Sequence, residues 1–242
     1  MQGAAAGKRM KISAVLPTLN DAAHLPACLA ALAEADEIVV SDGGSSDDTV
    51  AIAREKGATV VSGPPGIGAQ LARGAEAARY GGLLFVPATT VLDSVAVWRA
   101  RKHLNRSLRP GCFWLCIDDD ARAARWVERG IDWRTRVLQL PSLSQGLAVR
   151  KDRYLEAGGY RSLPLLEHED LLHRLAPVVQ LPDDAIVSGE QWKTEGWWTR
   201  SARSFTRVAL WYAGMSPERI GLATGRSREG AAGGLPRVQP AE

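Results

Sequence analysis

Cysteine is scarce in this chain: Cys28, Cys112 and Cys116 are the three among 242 residues. An odd number gives no paired disulfide framework, and a lone C-x₃-C lacks the second pair that a zinc site needs. They read as buried or partly buried thiols in a reducing compartment. No run of about 18 apolar residues occurs, and the opening MQGAAAGKRMK has no apolar stretch of signal-peptide length, so a cytoplasmic, most simply bacterial, protein is expected. A strong charge of one sign is also missing. Lys+Arg 30 against Asp+Glu 27 gives +3, too little for a nucleic-acid partner, and no basic residues are interleaved along a strand platform. The excess lies at the end of the chain: residues 191–242 hold eight basic and four acidic side chains, which leaves the first 190 at −1.

What is present is an ordinary globular composition, 45% apolar and 24% charged. The chain is long enough for a real core, so a peptide hormone or disulfide-stapled miniprotein is excluded. From Lys11 short β-rich runs alternate with helical patterns. Strands are expected at 12–16, 37–41, 59–62 and 83–86, and helices at 21–34, 47–56 and 67–79. Such alternation means βαβ units on a parallel sheet, and ligands of such sheets sit at the carboxyl ends of the strands. Asp47 or Ser46 can cap the second helix, and Gly57 can end it.

After Asp93, which suits a helix cap, the pattern loosens. A helix is expected at 95–103, a strand at 112–117, a Trp/Arg-rich stretch to Arg136, and a loop into a strand at 141–149. Short helices follow at 152–157 and 167–175. Residues 197–212 form an amphipathic helix, with Trp197, Trp198, Ser201, Phe205, Val208, Ala209 and Tyr212 on one face and Arg200, Arg203 and Arg207 elsewhere. A helix of that kind can lie on an anionic membrane surface.

Gly63-Pro64-Pro65-Gly66-Ile67-Gly68-Ala69-Gln70 imitates a phosphate-binding loop, but Ala69 and Gln70 stand where a Lys and a Ser/Thr are required. A tight strand-to-helix turn is the expected use of these glycines. The run Asp118-Asp119-Asp120 reads as a solvated turn, since three adjacent acids on an extended strand cannot all face one ion.

The segments Ile12 to Asp21 and Asp36 to Thr49, in that order, resemble the N-terminal half of family 2 glycosyltransferases, inverting nucleotide-sugar enzymes with a GT-A fold. The likeness continues to about residue 224, and a short, soluble bacterial subgroup shares Gly66 and Gln70, Phe85 to Thr90, Leu115 to Asp118, Trp133 to Arg136, Gln145 to Arg150, Gly158-Gly159-Tyr160 and Trp192. The resemblance implies an α/β GT-A fold: a doubly wound, Rossmann-like nucleotide-binding sheet with a mixed C-terminal half. It implies a tail at 1–10 and one domain at 11–224, divided into a nucleotide-binding half (11–93), an acceptor half (94–190) and a basic aromatic helical segment (191–224). A disordered tail is expected at 225–242.

By the same resemblance, Asp42 faces uracil or ribose, and Pro17, Thr18, Asp21, Gly43, Gln70 and Thr89 complete the site of a nucleotide-sugar, a UDP-sugar above all. Gln145 and Trp192 lie on the acceptor side. Glu167, His168 and Asp170 are the candidates for proton transfer, with a slip of the role onto Glu169-Asp170 as a further possibility. The sequence also departs from the family. Thr89 stands where relatives hold a metal-binding Asp, Ser144 where they have Asp, Ile67 where they have Arg, and His168 where they have the usual base. A weakly held magnesium or manganese ion, or none, is therefore expected, with no metal ligand assigned. The activity implied is inverting transfer to an unidentified acceptor. The rival is a descendant that keeps only nucleotide or sugar binding, or scaffolding.

Overall fold

The computed structural model describes residues 9–175 and 177–224, so most of the tail expected at 1–10 and all of that at 225–242 lie outside the described residues. The first half alternates strand and helix as anticipated: β1 (Ile12–Thr18), α1 (Leu25–Ala31), β2 (Glu37–Asp42), α2 (Thr49–Glu55), β3 (Thr59–Ser62), α3 (Ile67–Ala77) and β4 (Gly82–Phe85). Strands β3, β2, β1 and β4 are parallel neighbours, with Val15 opposite Val39 and Thr18 opposite Asp42. Every residue of β1 is buried, as a central strand covered on both faces must be.

On one face Ile12, Ala14 and Leu16 pack against Leu25, Cys28 and Leu29 of α1. On the other, Val15 meets Leu71 and Ala75 of α3 together with Leu83 and Phe85. Gly74 allows that approach, because a Cβ there would overlap Val15. The burial of Cys28 and Cys112 pushes both thiols up to about 12, as inert core groups, while Cys116 is half-buried.

The second half completes the same sheet. It comprises β5 (Thr90–Leu92), α4 (Ala96–Leu104), β6 (Gly111–Asp118), α5 (Arg122–Leu138), a 3₁₀ turn (Leu143–Gln145), β7 (Leu147–Arg150), α6 (Lys151–Glu156), α7 (Glu167–Leu175), β8 (Val179–Ser188), α8 (Glu190–Glu195), α9 (Trp197–Tyr212) and α10 (Pro217–Ala223). The sheet order is β3-β2-β1-β4-β7-β6-β8-β5, with β7 antiparallel to β4, β6 antiparallel to β7, and β8 parallel to β6.

Three elements differ from the sequence expectation. The Trp/Arg-rich stretch is the 17-residue helix α5. Thr90 opens the short strand β5, for which no strand was expected. Residues 179–188 form the ten-residue strand β8, even though Pro182-Asp183-Asp184 resembles a turn. Asp183 can point inward because Arg99 of α4 meets its carboxylate at 2.5 Å.

Candidate functional site

The ends of β1 and β2 form the first part of the site. Thr18 and Asp42 are both buried and paired in register, with the Thr18 hydroxyl 3.4 Å from Asp42 Oδ1. The Asp42 carboxylate folds the loop beyond it: Oδ2 accepts from the Gly44 and Ser45 amides at 2.8 and 3.0 Å, and Oδ1 accepts from the Ser45 hydroxyl at 2.5 Å. Gln70, reaching up from α3, donates Nε2 to the Thr18 and Ser41 carbonyls at 2.8 and 3.0 Å, and its Oε1 accepts from the Gly66 amide. It therefore clamps both strand ends and the Gly63–Gly68 turn together. Gly43 lies bare over this amide, where a Cβ would sit 3.0 Å from Gln70 Nε2 and 3.2 Å from Pro65 Cα.

The loops after β1 and β2 are also joined. Asn20 Oδ1 accepts from the Ser46 amide at 2.8 Å, and Asp47 Oδ2 from the Ala22 amide at 3.1 Å. Asp47 Oδ1 accepts from the Thr49 amide at 3.0 Å, although the N-cap position of α2 is Asp48 and not Asp47 or Ser46 as expected. Asp21 sits in the loop, where burial raises its carboxyl above the ordinary value against the opposing Leu19 amide. Pro17, Thr18, Asp42, Gly43 and Gln70 thus converge at one crevice, with Asp21 beside it. Thr89 is half-buried between β4 and β5.

A cavity of about 850 Å³ forms the second part, walled by α5, the 142–144 turn, the start of α7 and the inner side of α9. Glu167, His168 and Glu169 line it, whereas Asp170 does not. Asp170 Oδ2 is held by Arg174 at 2.5 Å, and its Oδ1 lies 3.6 Å from Arg161. Arg174 continues to the Ala157 and Gly159 carbonyls, so Asp170 ties α7 to the chain after α6. This holds Asp170 away from the cavity.

His168 is buried, with Nδ1 2.8 Å from the Tyr160 hydroxyl. Burial first, and the Arg134 guanidinium second, lower its pKa to about 3 against the pull of the Pro141 carbonyl. An imidazole so reluctant to take a proton is a poor general base, which corrects the expectation for His168. Gln145 is fully enclosed, donating to the Phe113 carbonyl at 2.9 Å and accepting from the Thr135 hydroxyl and the Ser142 amide. It braces the turn below the cavity and does not open to an acceptor. Trp192 is largely buried but lines the cavity.

Helix α9 is turned differently from its sequence pattern. Arg200, Arg203 and Arg207 are half-buried on the cavity side, with Arg200 and Arg203 meeting Glu195 at 2.6 and 3.0 Å, while Trp198 and Tyr212 are exposed. The arginines that a membrane contact would use line the cavity instead, beside Trp192 and Phe205. No helix among the described residues is long and apolar enough to cross a membrane.

Residues 13–88 match the model of the family described as Glycosyl transferase family 2. Uncharacterized glycosyltransferases of Mycobacterium tuberculosis and Mycobacterium bovis are 38% identical over 84 residues, which is 34% of this chain, and the match spans 36% of their own length. Glucosyl-3-phosphoglycerate synthase from Mycobacterium tuberculosis, solved with Mn²⁺, UDP and glucosyl-3-phosphoglycerate, superposes with a TM-score of 0.54 at 25% identity over 74% of this chain and 71% of that one. Its complex with Mg²⁺ and UDP gives 0.53 at 25% identity, over 74% and 70%.

The residues of this chain do not fit the divalent cation of those complexes. Pro87-Ala88-Thr89 offers no carboxylate. Asp93 Oδ1 takes the Ser94 hydroxyl and Val95 amide, and Asp119 is bound to Lys193 at 2.6 Å. Among the described residues no three His, Cys, Asp or Glu side chains are grouped as a ligand set. The remaining relationship is one of architecture: residues 13–88 resemble glycosyl transferase family 2, and the chain is built on the GT-A fold.

Proposed function

We propose that this chain is an inverting glycosyltransferase that holds a UDP-sugar at the β1 and β2 ends and transfers the sugar to an acceptor seated in the 850 Å³ cavity. The reading is carried by one observation: the paired, rigidly clamped ends at Thr18 and Asp42 stand on the same sheet as a cavity whose wall bears two carboxylates. Directional polar groups at adjacent strand ends suit a nucleotide base and ribose. UDP is also what the structural neighbours hold.

In this reading the acceptor hydroxyl attacks the anomeric carbon in line with the departing diphosphate. Glu169, at the start of α7, takes its proton. It lines the cavity from the first turn of the helix, within reach of an acceptor seated there. Arg73, which bonds the Asp42 carbonyl at 3.0 Å, is the cation at the donor end. Two carboxylates on the cavity wall favour transfer over a module that only binds.

The test is calorimetry with UDP, followed by UDP release from a panel of UDP-sugars. Binding of UDP that Asp42→Asn weakens tenfold or more is expected. Absence of UDP binding would end the donor reading, and binding without turnover on any sugar would favour the binding module.

A further inference from the structure

Two buried polar groups on residues of the cavity wall have no hydrogen-bond partner among the described residues: Arg134 Nε and Ser201 Oγ. Arg134 is the more telling. It lies on the inward face of α5, 4% exposed, and its one hydrogen bond among the described residues is a weak donation from Nη1 to the Ser204 hydroxyl at 3.3 Å. No carboxylate comes within ion-pair distance of it among the described residues. Glu169 acts on it only as a more distant charge. The other arginines of the wall are engaged, Arg200 and Arg203 by Glu195, and Arg207 by the Thr224 hydroxyl at 3.0 Å.

A guanidinium cannot shed its proton to escape burial, so an enclosed one needs a counter-charge. Its planar fork matches a carboxylate or a phosphate. A serine hydroxyl is able to donate to such a group.

We propose that Arg134, with Ser201, forms the anion-binding part of the acceptor site, and that the acceptor carries a carboxylate or a phosphate monoester which seats there. The word acceptor rests on the donor reading above, whereas the anion site rests on the cavity alone. An anionic group held on the α5 side of the cavity would orient the hydroxyl of the same molecule toward Glu169 on α7. Specificity follows from the same chemistry, since a neutral analogue would leave the guanidinium buried without a partner.

The experiment titrates the full chain with inorganic phosphate and, separately, with glycolate, following melting temperature and heat of binding with and without saturating UDP. At least one anion is expected to bind and raise the melting temperature, and to do so equally when UDP is present. The tighter of the two anions names the acceptor's charged group. Arg134→Met should weaken anion binding tenfold or more while its ligand-free melting temperature stays level or rises, because it removes an uncompensated buried charge. Arg134→Lys should keep part of the binding, and Ser201→Ala, which removes only a hydroxyl, should lose part of it.

Failure of both anions to bind, or unchanged binding in Arg134→Met and Ser201→Ala, overturns the proposal. Displacement of phosphate by UDP overturns the acceptor assignment, because the anion would then occupy the place of the donor's diphosphate. The UDP titrations in the same series report separately on the donor reading.

Discussion

The Tyr160 hydroxyl lies 2.8 Å from Nδ1 of His168, joining two buried rings whose planes are nearly parallel. Tyr160 also packs edge-on against Phe85 of β4, so the pair connects the sheet to the first turn of α7. The histidine is held neutral there, with a folded pKa of about 3 against 6.5 for the free side chain.

This sets a sign for stability against pH. Below about pH 6.5 the unfolded chain takes a proton that the folded chain refuses, so the stability is complete above that value and declines as pH falls toward 3. One such group contributes a slope of up to about 1.4 kcal/mol per pH unit. Urea unfolding of wild type and His168→Gln between pH 7 and 5 should show a flatter dependence in the variant. Equal slopes would mean that His168 titrates normally.

Gln70 should be essential to the donor crevice without touching the donor chemistry. Gln70→Ala strands two buried carbonyls and the Gly66 amide, for an expected loss of about 2–4 kcal/mol. Chemical denaturation measures that loss, and UDP titration should show affinity falling with it. A variant as stable as wild type would show that water replaces the amide.

The legibility of the sequence follows this geometry. The β1–β4 half could be read because each strand is a short apolar run and each turn carries Gly, Pro, Asp or Asn. Residues 59–62 and 167–175 have the boundaries expected of them. Thr18 and Asp42 were legible as strand ends, but Asp42's hold on the Gly44 and Ser45 amides was visible only once the loop was folded.

Strand β8 was hidden because Pro182-Asp183-Asp184 reads as a turn until Arg99, 84 positions earlier, supplies the partner. The inward turn of Arg200 and Arg203 was hidden because their partner Glu195 lies on the preceding helix. Arg134 stood inside the noted Trp133 to Arg136 segment. Its burial could have been found from the α5 wheel, where Val127, Ile131 and Arg134 share a face, had the stretch been read as a helix.

The metal expectation can be tested on binding alone. Because Thr89 provides no charge and Asp93 and Asp119 are engaged, UDP affinity should fall less than tenfold when Mn²⁺ or Mg²⁺ is chelated, a change below about 1.4 kcal/mol. Calorimetry with EDTA and with added Mn²⁺ decides. A larger loss would require carboxylates to rearrange into a site that their present bonds preclude.

The last prediction separates a carboxylate that reacts from one that holds the fold. Glu169 and Asp170 are adjacent on α7, yet Glu169 lines the cavity while Asp170 is bound to Arg174. Glu169→Gln should therefore lower kcat by about a hundred- to ten-thousand-fold, as removal of a general base does, with melting temperature and UDP affinity near wild type. Asp170→Asn should do the reverse: lose about 1–3 kcal/mol as Arg174 loses its charged partner, and keep turnover within a few-fold at temperatures where it stays folded. Glu167→Gln is the control, since its side chain lines the same cavity two positions earlier on α7. Turnover with a verified donor, measured beside unfolding curves for all three, gives the assignment. If Asp170→Asn is inactive but stable while Glu169→Gln is active, the proton goes to Asp170, and α7 must rotate on binding to free it from Arg174.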